Sequence, residues 1–255
     1  NLIGAAYYSM GRYGDAEKYW GNAFELFESL GDRRKGMDVL NNLGVIADAR
    51  GDYAQAFLRY DRALEIAREM GYRDGEIVFL TNRGGVQAAR SNFSAAEADM
   101  LQAIELAGKG GSWILPKTYY FLAEASVRTG KREQALHAAQ VSLDLSRADG
   151  APEYVGAAYR ALGMISKELC APVSVRSGDA EPKLVMADEL FQESVRVLED
   201  GNLDIERAIT LREWARYEIK DGNRQRGAEL WKEARDIFWQ LGANMEYERM
   251  AELPA

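Results

Sequence analysis

A small residue returns at a nearly fixed interval along this chain: Gly4, Gly44, Gly84, Ala123 and Gly163, at steps of 40, 40, 39 and 40 residues, and once more at Ala215. Around each of them the same neighbours reappear. Asn41-Asn42-Leu43-Gly44 leads to Gly51-Asp52-Tyr53, then Ala56, Tyr60 and Ala63. Forty residues on, Thr81-Asn82-Arg83-Gly84 leads to Ser91-Asn92-Phe93, then Ala96, Met100 and Ala103. An internal repeat of this period means that each copy is one supersecondary unit, stable only when stacked on its neighbours.

Each copy reads as two helices joined by a short turn. The small residue lets two helix backbones cross closely. Gly11, Gly51, Gly130 and Gly222 fit the left-handed position that ends a first helix. Ala16, Ala56, Ala96 and Ala135 precede Trp20, Tyr60, Met100 and Ala139 by four residues, which puts each pair on one face of a second helix. No alternating apolar run bounded by turn dipeptides is found, so no strand is expected.

These residues resemble the tetratricopeptide repeat family, whose signature is a Leu-Gly pair followed in the second helix by Ala, an aromatic and Ala. Leu43-Gly44, Leu162-Gly163, Ala56, Tyr60 and Ala63 match it. The aromatic that follows Leu-Gly in the family is replaced by Ala47 and Gln87, and the period exceeds the usual ~34 residues. The longer variety is similar to repeats in bacterial peptide-sensing regulators, in Pins/LGN-type scaffolds, and at the C-termini of large signalling ATPases and nucleotide cyclases. The resemblance implies an all-α, right-handed α-solenoid of about six helix pairs. The expected organisation is a single repeat domain over 1–255, with copies near 1–33, 34–73, 74–113, 114–152, 153–203 and 204–242. A capping helix is expected over 244–253, with Asn244 as its N-cap. Because the chain opens at Asn1 inside a first helix, it is expected to be part of a longer protein.

Two segments break the rhythm. Gly108-Lys109-Gly110-Gly111-Ser112-Trp113 reads as a helix stop and flexible turn, with Trp113 packed on a neighbour or turned to a ligand. Cys170 to Pro182 is a loop inserted between two paired helices, either a tolerated surface insertion or a docking segment.

Composition excludes several function classes. The net charge of −8 over 255 residues argues against general binding to nucleic acid or anionic membranes. His137 and Cys170 are the only histidine and the only cysteine, so neither an intrachain disulfide nor a metal site or triad built on several histidines can form. Nothing selects a catalytic pair of carboxylates. The chain is therefore read as no enzyme, with no catalytic residue, no metal and no cofactor. No apolar run is long enough to span a membrane, and a cytoplasmic location is expected.

Such arrays work by presenting a surface. First helices line the concave side, and there the candidate peptide-binding residues are Asn41, Asn42, Asn82, Tyr120, Arg128, Arg160, Lys167, Arg212 and Arg216. Asn42 and Asn82 are equivalent in consecutive copies. A repeated amide offers a donor and an acceptor at each step to an extended peptide backbone; alternatively, each bonds locally. Arg128, Arg160, Lys167, Arg212 and Arg216 make the C-terminal half of this face basic, which would attract an acidic segment. The expected function is a non-catalytic scaffold or sensor that recognises a protein or peptide segment. The alternative is a small-molecule or nucleotide sensor using the basic half.

Overall fold

The computed structural model describes residues 2–176 and 181–254. They form thirteen α-helices and one two-stranded sheet, and they divide into two compact units, up to Ile114 and from Leu115 onward.

The first unit comprises α1 (Leu2–Ser9), α2 (Tyr13–Ser29), α3 (Arg33–Ala49), α4 (Tyr53–Glu69), α5 (Arg73–Ala89) and α6 (Phe93–Ala107). The turns that separate them follow one rule. At the end of α3, Gly51 takes φ +75°. Its N–H bonds to the Asp48 carbonyl at 2.8 Å, and the Asp52 N–H reaches back to the Ala47 carbonyl at 2.8 Å. This Schellman pair satisfies two carbonyls that the helix end would leave bare. Asp52 then opens α4, its carboxylate accepting from the Gln55 N–H at 3.1 Å. One Gly-Asp dipeptide thus stops one helix and caps the next. Gly31-Asp32 repeats the device ahead of α3.

The small residues do what the repeat requires. A Cβ on Gly44 would lie 2.6 Å from the Tyr60 ring, and one on Gly4 2.5 Å from the Trp20 indole. Ala16, Ala56, Ala96, Trp20, Tyr60 and Met100 are all buried. Trp113 differs from the packed expectation, since 72% of its surface is exposed.

The second unit comprises α7 (Leu115–Arg128), α8 (Arg132–Asp149), α9 (Pro152–Leu169), β1 (Val173–Val175), β2 (Lys183–Val185), α10 (Ala187–Asp200), α11 (Asp204–Asp221), α12 (Arg224–Gln240) and α13 (Asn244–Arg249). Helices pack in consecutive pairs, and α7, α9 and α11 lie side by side as the first helices of three hairpins. Phe191 of α10 fills the notch at Gly163, 3.1 Å from where a Cβ would stand.

Three expectations need correction. The insert after α9 is not strandless: β1 and β2 pair antiparallel, Val173 opposite Val185 and Val175 opposite Lys183. Val173 and Val175 are buried while Ser174 is exposed, an alternation too short to stand out in the sequence. Residues 177–180 of that insert lie outside the described residues. Gly222 is not left-handed; its φ is −129°. There the Glu218 carboxylate takes over the turn, accepting from the Asn223 N–H at 3.0 Å. Finally, α13 ends at Arg249 rather than 253, because the Trp231 indole N–H holds the Met250 carbonyl at 3.2 Å and draws the chain into the core. The helix begins at Asn244 with Ala243 before it; the Asn244 side chain is outside the described ones.

Candidate functional site

In the first unit the expected asparagine ladder becomes a rung between helices. Asn82 of α5 is buried and donates its amide to the Asn41 carbonyl oxygen of α3 at 2.9 Å. The residue that meets Asn82 is therefore not its equivalent Asn42 but the one before it, one turn face around the helix. Asn41 and Asn42 are half-buried, and Asn42 has an interaction of its own. Beside this rung, Arg83 is clasped by Asp99 at 2.9 Å, with Asp61 as a second partner.

The second unit concentrates charge on its first helices. Arg160, on the middle helix α9, is only 1% exposed. Its guanidinium reaches Glu206 and Thr210 of α11 at 3.0 and 3.1 Å and the Tyr120 hydroxyl of α7 at 2.6 Å. Tyr120, itself buried, donates on to Glu124 at 3.0 Å. Three helices are thereby joined by one polar chain. Burial opposes the Arg160 charge, but Tyr120, Glu206 and Glu124 outweigh it and hold the group protonated. Burial also keeps Tyr120 in its phenol form, against the pull of Arg160. A buried cation is tolerable only when fully bonded in this way.

A second knot surrounds Glu213, 2% exposed. One oxygen accepts from Arg128 at 2.7 Å, the other from Arg216 at 2.8 Å and Arg212 at 3.2 Å. Burial raises the cost of its charge, yet Arg212, Arg216 and Arg128 prevail and bring its pKa to about 2. Arg212 is held again by Glu246 of α13. Lys167 donates to Glu218 at 2.9 Å and pairs with Asp188 at 3.3 Å.

The structure thus separates the predicted residues into two classes. Arg160, Tyr120, Asn82 and Arg212 are committed to neighbours and are not free arms, contrary to the exposed placement expected for them. Tyr120, Arg160 and Arg212 point inward because α7, α9 and α11 pack side by side on that flank, and Asn82 is turned to Asn41 of α3. Arg128 and Arg216 keep part of their side chains exposed (30% and 44%) while both grip Glu213. Lys167 is intermediate. The basic surplus expected in this half is largely cancelled. Glu206, Glu218 and Asp188 fall outside the repeat positions that face the groove: Glu206 stands six residues before Arg212, Glu218 two residues after Arg216, and Asp188 is on α10, a second helix. A spacing rule could have found Glu206: it stands four residues before Thr210, on the same face. With the arginines so matched, the small-molecule or nucleotide reading loses the excess charge on which it rested. Among the described residues no cluster of three or more His, Cys, Asp or Glu is arranged to hold a metal ion, and no helix is long and apolar enough to cross a membrane.

Comparison with known proteins bears on the fold. Residues 1–69 match the tetratricopeptide repeat family model. No curated protein matches in sequence. Among solved structures, the apo form of RapI superposes with a TM-score of 0.79 at 16% identity, covering 94% of this chain and 82% of that one. Aspartyl phosphate phosphatase F from Bacillus subtilis gives 0.76 at 16% identity, over 92% of this chain and 58% of its own. A Rap protein complexed with competence and sporulation factor gives 0.74 at 14% identity, over 94% and 62%. The chain spans about three fifths of the length of the latter two. The tetratricopeptide repeat model thus matches the start of the chain, and the chain shares a helical-repeat fold with these structures over more than nine tenths of its length.

Proposed function

We propose that this chain is a non-catalytic, cytoplasmic binding module for a peptide or protein segment, which lies along the first helices. The observation that carries the reading is the Glu213 knot. A buried carboxylate fixes Arg128 and Arg216 from two helices while leaving both partly exposed. Arginines held in advance lose little freedom when a ligand carboxylate arrives, and charge-assisted bonds to it are strong. In the first unit, half-buried Asn41 and Asn42 offer amides suited to peptide backbone. Two solved structures with this fold are complexes, one of a Rap protein with competence and sporulation factor, the other of a Rap conjugation gene regulator with the Phr* peptide. A ligand with an Asp or Glu side chain, or a free C-terminus, fits the arginine pair.

Selection of a displayed random peptide library on the intact chain tests this. Peptides enriched in Asp or Glu are expected, with affinity falling about tenfold or more in the Arg128→Ala/Arg216→Ala double variant, as loss of a charge-assisted bond predicts. Circular dichroism must show that the variant keeps its helices. A library that yields no specific binder, or binders indifferent to both arginines, would overturn the assignment.

A further inference from the structure

The insert between α9 and α10 is docked on the body of the second unit. Gln140 of α8 holds the backbone of Arg176 from both sides, accepting from its N–H at 3.0 Å and donating to its carbonyl at 3.3 Å. Arg147, two turns further along α8, donates to the same carbonyl at 3.0 Å. Val173 and Val175 are buried beneath. The strand pair so fixed becomes one wall of an open cleft of about 460 Å³, closed on its other sides by α8, α9 and α10. That volume lies in the ~300–1,000 Å³ range of small-ligand sites.

The chemistry of the cleft is asymmetric. Val175, Val185 and Leu190 make it apolar on one side. Its cations are Arg147, Lys183 and Arg196, and its acids are Glu189 and Glu193. Arg196 is engaged by Glu193 through bonds of 2.9 and 2.6 Å, and by Asp200 at 3.1 Å. Arg147 bonds instead to neutral oxygens, the Arg176 carbonyl and the Tyr159 hydroxyl. Among the described residues neither Arg147 nor Lys183 forms an ion pair. Tyr159 is buried, and burial keeps its hydroxyl protonated despite Arg147; the hydroxyl can therefore donate into the cleft. Arg147 also acts through space on Glu193, whose carboxylate is bonded to Arg196; with three cations to two acids the lining is net positive in a protein of net charge −8, beside an apolar wall, which describes a receptor for a molecule of opposite character.

We infer that this cleft binds a small amphipathic organic anion, its anionic head between Arg147 and Lys183 and its apolar body against Val175, Val185 and Leu190. The site is distinct from the first-helix face, and its fate is independent of the peptide-binding reading. The inserted hairpin, without counterpart in the other repeats, is on this view the element that builds a second binding site.

The probe is octanoate, titrated by calorimetry and located by backbone amide shifts. Acetate supplies the head alone, and octyltrimethylammonium the same tail with opposite charge. Octanoate is expected to bind at millimolar concentration or below and to shift the amides of Val175, Val185 and Leu190. Neither control should do so. Lys183→Gln, at an exposed residue without an ion pair, is expected to weaken binding about tenfold through the lost charge, and Val185→Trp to abolish it by filling the cleft. Absence of binding, equal binding of the cationic probe, shifts that map elsewhere, or indifference to both substitutions would each overturn the proposal.

Discussion

The two units solve the same packing problem with different polar chemistry on their first helices. In residues 2–114, α3 and α5 are bridged by a neutral amide pair, Asn82 to Asn41. In residues 115–254, α7, α9 and α11 are bridged by buried ions, through Arg160 and Glu213. An amide pair holds helices with directional bonds that do not titrate. A buried ion network does the same at higher stakes, because loss of one member strands a charge away from water. The repeat therefore prescribes where helices cross, and leaves open what joins their exposed edges.

The sharpest break in that comparison is Glu213→Gln. It leaves Arg128, Arg212 and Arg216 facing an amide at a site 2% exposed. A destabilisation of about 3–5 kcal/mol is expected at neutral pH. Native-state hydrogen exchange of α11 and α7 amides measures it within the second unit. The pH dependence has a definite sign. The Glu213 carboxyl falls from the ordinary 4.5 to about 2 in the folded protein, so its contribution is fully present above pH ~4.5 and is lost as pH drops toward ~2, on the order of 3 kcal/mol in all. The variant should be nearly flat across that window relative to the parent. A cost no larger than that of removing the amide rung would erase the distinction between the units.

A smaller effect compares the helix crossings. Gly44→Ala in the first unit drives a methyl to within 2.6 Å of the buried Tyr60 ring, and about 1–3 kcal/mol of destabilisation is expected. Gly163→Ala in the second unit meets Phe191 at 3.1 Å. A shift of a few tenths of an ångström relieves that contact, and alanine's better helix propensity, worth ~1 kcal/mol, works against the remaining strain. The second substitution should be close to neutral. Thermal unfolding of the two variants side by side decides it, and equal losses would mean that ring contact is not what fixes glycine at these crossings.

Much of this architecture was legible in the chain because packing imposes periodicity. Ala16, Trp20, Gly44 and Tyr60 recur at 40-residue spacing since every copy must present the same knob and notch. What repeats in structure but not in residue type was harder to read. Ser91 and Cys170 adopt φ of +62° and +50° where Gly11, Gly51 and Gly130 stand in other copies; the Schellman bonds of their turns hold them there, Ser91 N–H to Ala88 at 2.9 Å and Cys170 N–H to Lys167 at 3.1 Å. The short β-pair escaped because three residues cannot show a period. What the sequence could not show was which side chains of the candidate face stay exposed. Position on the repeat picked out Arg128 and Arg216, but the same rule picked out Arg160, whose burial depends on Glu206 and Thr210, 46 and 50 residues away. Partners at that separation obey no local spacing, so a buried arginine and a partly exposed one look alike in sequence.

The mildest test returns to the amide rung. Asn82→Ala removes the donor to Asn41 and empties a buried polar position. Asn41 is half-buried, so water can reach its orphaned oxygen and soften the penalty. About 1–2 kcal/mol is expected, read from hydrogen exchange of α3 and α5 amides. Because an amide carries no charge, the cost should be the same at pH 3 as at pH 7, the opposite of the behaviour predicted for Glu213→Gln. A cost that grew or vanished with acid would tie the first unit's helices to a titrating group, and the contrast between an amide-joined and an ion-joined unit would have to be abandoned.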